Sequence, residues 1–239
     1  MNPEPAVWAI IPASGIGSRM QSETAKQYLA FQGKTILEHC LDRLFAHSAI
    51  AGAVLVLRDD DIEWEKLAYN ASKPIFIASG GEQRHHSVYS GLTTLQYRFG
   101  NDALALVHDA VRPLVSLHDL ERVIQAARDH EAGAILASPI SDTLKLQGDN
   151  LEISGTISRD RLWRAFTPQV FHLQPLLNAL KKVIDEGLDI SDDASALELM
   201  GYAPMLVEGE ASNIKITRPQ DLALAESIWL YQRDQQDDK

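Results

Sequence analysis

Cysteine is nearly absent from this sequence, in which Cys40 is the only one among 239 residues. A single cysteine cannot form a disulfide within its chain, which argues against a secreted, disulfide-stabilised framework. Cys40 shares a helical spacing with Leu37, Leu41 and Leu44, which predicts one apolar face of a helix. This spacing favours a small core residue over a reactive thiol.

The sequence also lacks the signals of a membrane or secreted protein. Its first apolar stretch, residues 6–11, is much too short for a membrane span. Residues 1–5 contain no basic residue that could begin a signal peptide. We therefore expect a cytoplasmic protein.

Basic residues are few: 22 Lys and Arg stand against 33 Asp and Glu, a formal net charge of −11. Such a surface repels phosphates and anionic lipids, so we expect neither nucleic acid nor a membrane as a partner. An anionic ligand would have to be small and to meet a local cluster of basic side chains. The hydrophobic content of 45% is ordinary for a folded globular protein and excludes intrinsic disorder.

Short apolar runs alternate with helical patterns along the chain. Five runs indicate buried strands: 7–11, 53–57, 74–78, 103–107 and 132–137. Thr35, Ser116 and Ser191 are candidate helix N-caps, and Pro219 suits a first helical turn. This order predicts an α/β fold with a doubly wound, mostly parallel sheet, whose ligands bind at the carboxyl ends of the strands. No boundary divides the chain, so we expect a single domain over residues 1–239.

One segment interrupts this alternation. Residues 142–158 contain two alternating runs around Gly148, Asp149 and Asn150, which predicts an inserted β-hairpin arm over about residues 139–158. An isolated two-stranded ribbon is marginal in water. We therefore expect the arm to pack on another surface, such as a second subunit.

The strongest functional signal follows the first predicted strand. Gly15 and Gly17 lie in a loop that also carries Arg19, and Lys26 follows seven residues later. Glycines let backbone N–H groups converge on phosphate oxygens, and the two basic side chains would add charge. The Walker pattern is absent, and Met20 replaces the third glycine of the dinucleotide fingerprint. Phosphate binding is favoured over a simple tight turn.

Two further clusters also follow predicted strands. The first cluster contains Gly80, Gly81 and Ser87. It forms a second wall of a nucleotide pocket, or else Ser87 is only a helix cap, and the sequence leaves both interpretations open. Asp109 comes at the end of a buried strand, where an α/β enzyme holds Mg²⁺. From these residues alone, an ion pair between Asp109 and Arg112 is the favoured alternative.

Basic residues recur late in the chain. They are Arg159, Arg161, Arg164, Lys215 and Arg218. Most arginines in such a run face solvent, but one or two directed into the cleft could hold the anionic group of a substrate.

Four motifs together carry a family resemblance. They are P-A-S-G-I-G-S-R-M with Lys26, G-G-E-Q-R-H-H-S-V, H-D-A-V-R-P and N-I-K-I-T-R-P-Q-D-L. In this order, over about residues 7–230, the sequence resembles the 2-C-methyl-D-erythritol 4-phosphate cytidylyltransferases of the non-mevalonate isoprenoid pathway. The resemblance implies a Rossmann-like nucleotidyltransferase fold and Mg²⁺-dependent transfer from CTP to methylerythritol phosphate, with release of pyrophosphate.

The resemblance also implies roles for individual residues. Arg19 and Lys26 would be catalytic and would stabilise charge on the α-phosphate. The nucleotide-binding residues would be Pro12, Ala13, Ser14, Gly15, Gly17, Gly81, Glu82, Ser87, Asp109 and Ala110. The polyol phosphate side would comprise Arg112, Thr143, Arg159, Thr167 and Lys215. Asp109 would be the metal ligand, and the arm would reach across a homodimer.

Two departures from the family pattern concern base recognition. Ser14 stands where the family more often has alanine, and Glu82 where it often has aspartate. Neither departure removes a charge that the chemistry needs. The nucleophile is a phosphate oxygen, already ionised near neutral pH, so the reaction needs no general base. Two alternatives remain: a cytidylyltransferase for another polyol phosphate, such as ribitol 5-phosphate, and a nucleotide-sensing protein without turnover.

Overall fold

A computed structural model describes residues 4–15 and 24–237. The strands of the described residues, in chain order, are β1 (Ala6–Pro12), β2 (Ala30–Phe31), β3 (Lys34–Thr35), β4 (Ile50–Leu57), β5 (Ile75–Ser79), β6 (Ala103–Val107), β7 (Ala134–Pro139), β8 (Leu144–Gln147), β9 (Ile153–Ile157), β10 (Trp163–His172) and β11 (Met205–Glu208). The α-helices are α1 (Ile36–Phe45), α2 (Glu63–Leu67), α3 (Arg84–Phe99), α4 (Leu117–Asp129), α5 (Leu173–Glu186), α6 (Asp193–Glu198) and α7 (Pro219–Asp237).

A seven-stranded sheet in the order β11-β7-β10-β6-β1-β4-β5 forms the centre of the fold. β10 runs antiparallel to its neighbours β6 and β7, and the other pairs are parallel. The prediction of a mostly parallel α/β sheet is therefore confirmed. The apolar runs did not indicate β10, because Pro168 interrupts its pattern where the pairing register also shifts.

Helices cover both faces of this sheet. Val7, Ala9 and Ile11 of β1 are buried with apolar residues of α1 and α4. Trp8 and Ile10 of the same strand are buried on the opposite face with residues of α3, α5 and α6. Because successive strand residues point to opposite faces, one apolar strand enters both core clusters and the fold is doubly wound.

Helix caps set several of these boundaries. Thr35 forms a capping box with Glu38 at the start of α1, and Ser116 caps α4, as the sequence predicts. The prediction of Ser191 as a cap is wrong. Asp192 caps α6 instead, because its carboxylate accepts the backbone N–H of Ser195 at 3.0 Å while the Ser195 side chain caps in return.

The predicted hairpin arm is present as a separate two-stranded sheet. β8 and β9 pair antiparallel, and a short 3-10 turn, Asp149–Leu151, joins them. Leu151 at the tip is 82% exposed and Ile153 67% exposed, so the arm presents apolar side chains outward. Among the described helices, none is long and apolar enough to cross a membrane.

Candidate active site

A cleft of about 210 Å³ opens where β1, β5 and β6 reach their carboxyl ends. Its lining residues are Pro12, Ala13, Ser14, Gly15, Lys26, Gln27, Gly81, Glu82, Gln83, Arg84, Ser87, Asp109, Ala110, Val111 and Lys215. A larger cleft, of about 730 Å³, lies at the opposite edge beside the first residues of β1 and β6. Because α/β sheets bind ligands at the carboxyl ends of their strands, the first cleft is the candidate site.

The first wall of the cleft is the loop that follows β1. The backbone N–H of Ala13 donates to the carbonyl of Val56 at 2.8 Å, and the Gln27 side chain donates to the Ala13 carbonyl at 2.6 Å. These bonds hold the loop against β4 and the short helix Lys26–Tyr28. Gly17 and Arg19, predicted to bind and stabilise phosphates, lie outside the described residues.

The second wall contains the paired glycines that follow β5. A Cβ atom on Gly80 would lie 2.4 Å from Cβ of Ser14, so a side chain there would push the two walls apart. The Ser87 hydroxyl accepts the backbone N–H of Gly81 at 3.1 Å and lies 2.9 Å from the Ser14 hydroxyl. Helix α3 begins at Arg84 with Gln83 as its N-cap, so Ser87 is not the cap.

Asp109 lies at the centre of a cluster of cations at the base of the cleft. Its Oδ1 is 3.4 Å from Nε of Arg84, and its Oδ2 is 3.1 Å from Nε of Arg112 and 3.0 Å from Nζ of Lys215. Burial opposes ionisation of the carboxyl, but the charges of Arg84, Lys215 and Arg112 outweigh it and hold the pKa of Asp109 well below its ordinary value. The carboxylate is therefore ionised, and three cations surround it.

A buried polar network supports Asp109 from below. Thr167 Oγ1 accepts the backbone N–H of Asp109 at 3.0 Å and lies 3.1 Å from Nδ1 of His108. Burial lowers the pKa of His108 to about 4, so its ring is neutral. The Thr167 hydroxyl then donates to Nδ1, and Nε2–H donates to the carbonyl of Arg112 at 3.0 Å.

Comparison with known proteins places the chain in one enzyme family. The sequence profile of 2-C-methyl-D-erythritol 4-phosphate cytidylyltransferase, IspD, matches residues 7–230. This chain belongs to the IspD family.

Curated relatives and solved structures agree with that assignment. A 2-C-methyl-D-erythritol 4-phosphate cytidylyltransferase of Vibrio atlanticus is 44% identical over 92% of this chain and 94% of its own length. One from Pseudomonas putida is 43% identical over 98% of this chain and 97% of its own. The crystal structure of the Francisella tularensis enzyme has a TM-score of 0.80 and 34% identity, and the match covers 93% of this chain and 99% of that one.

Those site residues predicted from the sequence that lie within the described part of the chain fall into three groups. Those that line the cleft are Pro12, Ala13, Ser14, Gly15, Lys26, Gly81, Glu82, Ser87, Asp109, Ala110 and Lys215. Arg112 and Thr167 lie beneath it and hold the Asp109 loop. Thr143 and Arg159 stand exposed beside the arm and do not line the cleft within one chain.

Two charged residues of this site were not predicted from the sequence. Arg84 lies inside the second motif, but nothing in its spacing separates it from a solvent-exposed arginine. Asp193 is fully buried, and its carboxylate is 2.8 Å from Nη1 of Arg84. The role of these two residues becomes visible only in the structure, where α6 packs against α5 and the Asp193 carboxylate pairs with Arg84.

Proposed function

We propose that this chain transfers the cytidylyl group of CTP to 2-C-methyl-D-erythritol 4-phosphate and releases pyrophosphate. The observation that carries the proposal is the grouping of Lys26, Arg84 and Lys215 around one cleft between glycine loops, in a protein of net charge −11. Phosphoryl chemistry of this kind needs positioned cations more than a general base, because the attacking phosphate oxygen is already ionised. Membership of the IspD family supports the choice of both substrates.

The proposed roles combine the lining of the cleft with the family resemblance, and the resemblance alone supplies Gly17 and Arg19, which lie outside the described residues. Lys26, with Arg19, stabilises charge on the α-phosphate as it is attacked. The nucleotide binds along the two glycine walls, where Pro12, Ala13, Ser14, Gly15, Gly17, Gly81, Glu82, Ser87, Asp109 and Ala110 contact it. The polyol phosphate binds on the side of Arg112 and Lys215, and Thr167 contributes to that side by holding the Asp109 loop.

We propose Mg²⁺ as the metal that accompanies CTP. Magnesium commonly takes one or two carboxylates and completes its shell with substrate phosphate oxygens and water. Asp109 fits this preference in donor type, but both of its oxygens contact cations, and the described residues contain no group of three or more His, Cys, Asp or Glu suited to a metal. Asp109 would therefore supply one oxygen after Lys215 turns toward the phosphates. The bound metal would neutralise charge on the leaving pyrophosphate.

We also propose a homodimer in which the arm reaches the neighbouring subunit. Thr143 and Arg159 lie at the base of this arm and outside the cleft of their own chain. They would therefore complete the polyol phosphate side of the partner's cleft. The apolar residues exposed on the arm, including Leu151, support its burial against a second copy. We propose a single cytoplasmic domain with small-molecule substrates. The one seven-stranded sheet supports a single domain, and the net charge of −11 disfavours polyanionic partners.

Pyrophosphate release by the purified chain tests the function. The assay contains CTP, Mg²⁺ and either 2-C-methyl-D-erythritol 4-phosphate or ribitol 5-phosphate, with each substrate omitted in turn as a control. We expect release only when CTP and the methylerythritol phosphate are both present. Release with CTP and ribitol 5-phosphate, but not with CTP and 2-C-methyl-D-erythritol 4-phosphate, would instead identify ribitol 5-phosphate as the substrate. Binding of CTP without release in either mixture would favour a nucleotide-sensing protein.

A further inference from the structure

A buried carboxylate lies behind the cleft, outside the residues to which the proposed function assigns a role. Asp193 is the first residue of α6, and its side chain is fully buried. Its Oδ2 is 2.8 Å from Nη1 of Arg84, whereas its Oδ1 has no hydrogen-bond partner among the described residues. A buried charge without a partner destabilises the fold. Moving Arg84 away from the Asp193 carboxylate would therefore cost free energy.

Arg84 links this carboxylate to the cleft. Its guanidinium contacts Asp193 through Nη1 at 2.8 Å and Asp109 through Nε at 3.4 Å. The shorter contact is the one to Asp193, which lies outside the cleft. Because a guanidinium is a rigid planar fork, fixing one of its edges also fixes the direction of the other. Asp193 thus sets how Arg84 approaches the carboxylate at the centre of the cation cluster.

The start of α6 is itself firmly attached to the central sheet. Gln169 of β10 is buried, its Oε1 accepts the backbone N–H of Ala194 at 3.1 Å, and its Nε2 donates to Asp192 at 2.8 Å. Asp192 also caps the helix through the backbone N–H of Ser195. These hydrogen bonds hold the first turn of α6 in place. The position of Asp193 therefore determines the position of Arg84, and not the reverse.

We propose that Asp193 is a positioning residue for the reaction, which acts through Arg84 to orient the Asp109 carboxylate. The Asp193 anchor keeps Arg84 at one oxygen of Asp109 and leaves the other oxygen to Arg112 and Lys215. Without it, the guanidinium would move toward Asp109 and the incoming phosphates and would displace the other cations. The inference rests on the proposed function, because it assigns a consequence for catalysis to this chain of contacts.

A double-mutant cycle tests the proposal. The variants are Asp193→Asn, Arg84→Lys and their combination, with Ser195→Ala as a matched control that weakens the same helix cap and keeps Asp193. Because small misplacements of reacting groups cost up to about 100-fold in rate, we expect Asp193→Asn to lower kcat at least about 10-fold. Arg84→Lys, which keeps the charge but loses the fork, should lower kcat similarly. The combination should be no worse than Arg84→Lys alone.

Several outcomes would overturn the proposal. One is a folded Asp193→Asn variant with wild-type kcat and KM values. Another is a combined variant in which the fold-decrease in kcat equals the product of the two single decreases. Asp193 would then act independently of Arg84. A third is a loss in Ser195→Ala equal to that in Asp193→Asn, which would indicate a structural role. If Asp193→Asn does not fold, wild-type kinetics in Arg84→Lys would serve as the contradicting result.

Crystal structures of the ligand-free chain separate this proposal from the proposed function. If the wild-type chain releases no pyrophosphate, the proposed function fails, but the position of Arg84 can still be measured. We expect the Arg84 guanidinium in Asp193→Asn to leave its wild-type position and to lie closer to Asp109. An unchanged guanidinium in that crystal would show that Asp193 does not position it.

Discussion

The hydroxyl oxygens of Ser14 and Ser87 lie 2.9 Å apart and connect the loop after β1 to the first turn of α3. The Ser87 hydroxyl also accepts the backbone N–H of Gly81, so the serine pair fixes the second glycine wall as well. Gly80 leaves room for this contact, since a Cβ there would collide with Ser14. The two walls of the cleft are therefore held together directly by hydrogen bonds within the protein. An alanine at position 14 could not form this bond, because it has no hydroxyl group.

We expect Ser14→Ala to raise KM for CTP by roughly 2- to 10-fold and to leave kcat nearly unchanged. One hydrogen bond of this kind contributes about 0.5–1.5 kcal/mol, and its loss would let the two walls separate. Steady-state kinetics with varied CTP measures the effect. Ser212→Ala, which removes a surface hydroxyl bonded to Glu210, is the matched control. An unchanged KM for CTP would show that the serine pair does not organise the nucleotide site.

Lys26→Ala should lower kcat by about two to three orders of magnitude while the protein stays folded. The estimate follows from the loss of one positioned charge at a developing anion. Pyrophosphate release measures the rate, and thermal unfolding checks the fold. Lys66→Ala removes an exposed lysine that pairs with Glu63 on α2, and it should leave kcat unchanged. Turnover of Lys26→Ala near the wild-type rate would contradict the catalytic role.

Arg159→Ala should chiefly raise KM for the polyol phosphate. Arg159 lies beside the arm, where its guanidinium donates to the carbonyl of Ser141, and it does not line the cleft between the glycine walls. Initial rates with each substrate varied in turn separate the two KM values. Lys145→Ala removes another basic residue of the same arm and serves as the control. A raised KM for CTP with an unchanged KM for the polyol phosphate would show that the two subsites are reversed.

Sedimentation at micromolar concentration should give the mass of a dimer. Leu151→Asp, at the exposed tip of the arm, should yield the monomer because a charge cannot be buried there without a partner. Tyr97→Asp changes a side chain that is 91% exposed on α3 and should leave the dimer intact. A monomeric mass for the wild-type chain would contradict the proposed assembly.

Stability should decline between neutral and mildly acidic pH because of His108. Burial lowers the pKa of His108 to about 4 from its ordinary value of 6.5. Between these values the unfolded chain binds a proton that the folded chain does not. The contribution of His108 to the free energy of unfolding is therefore largest above pH 6.5. It falls by roughly 1.4 kcal/mol for each pH unit between pH 6.5 and about 4.

Urea unfolding at several pH values from 4.5 to 7.5, roughly the range in which a buried histidine exchanges its proton, measures this dependence. His108→Gln keeps a donor in place of the ring and removes the titrating group. Its unfolding free energy should depend less on pH than that of the wild-type chain. Equal dependence in the two proteins would show that other groups cause the decline.

Much of the architecture could be predicted because it depends on local pattern. Apolar runs identified most parallel strands correctly, and Thr35, Ser116 and Pro219 marked the starts of three helices. The parallel arrangement then implied that the clusters after β1, β5 and β6 would meet at one edge, and the structure places them around one cleft. β10 escaped prediction because Pro168 and polar residues break its apolar pattern.

The sequence by itself determined the α/β class, the arm, the acidic composition and the residue types available to the cleft. Those properties follow from composition and from spacings of a few residues. Only the tertiary structure decided which partners the charged groups have, because Asp109, Arg84 and Asp193 belong to three distant segments. The contact between the Thr167 hydroxyl and His108 likewise exists only in the folded chain, and no local sequence pattern predicts it. Partners of this kind depend on how whole elements pack, and packing is a property of the folded chain.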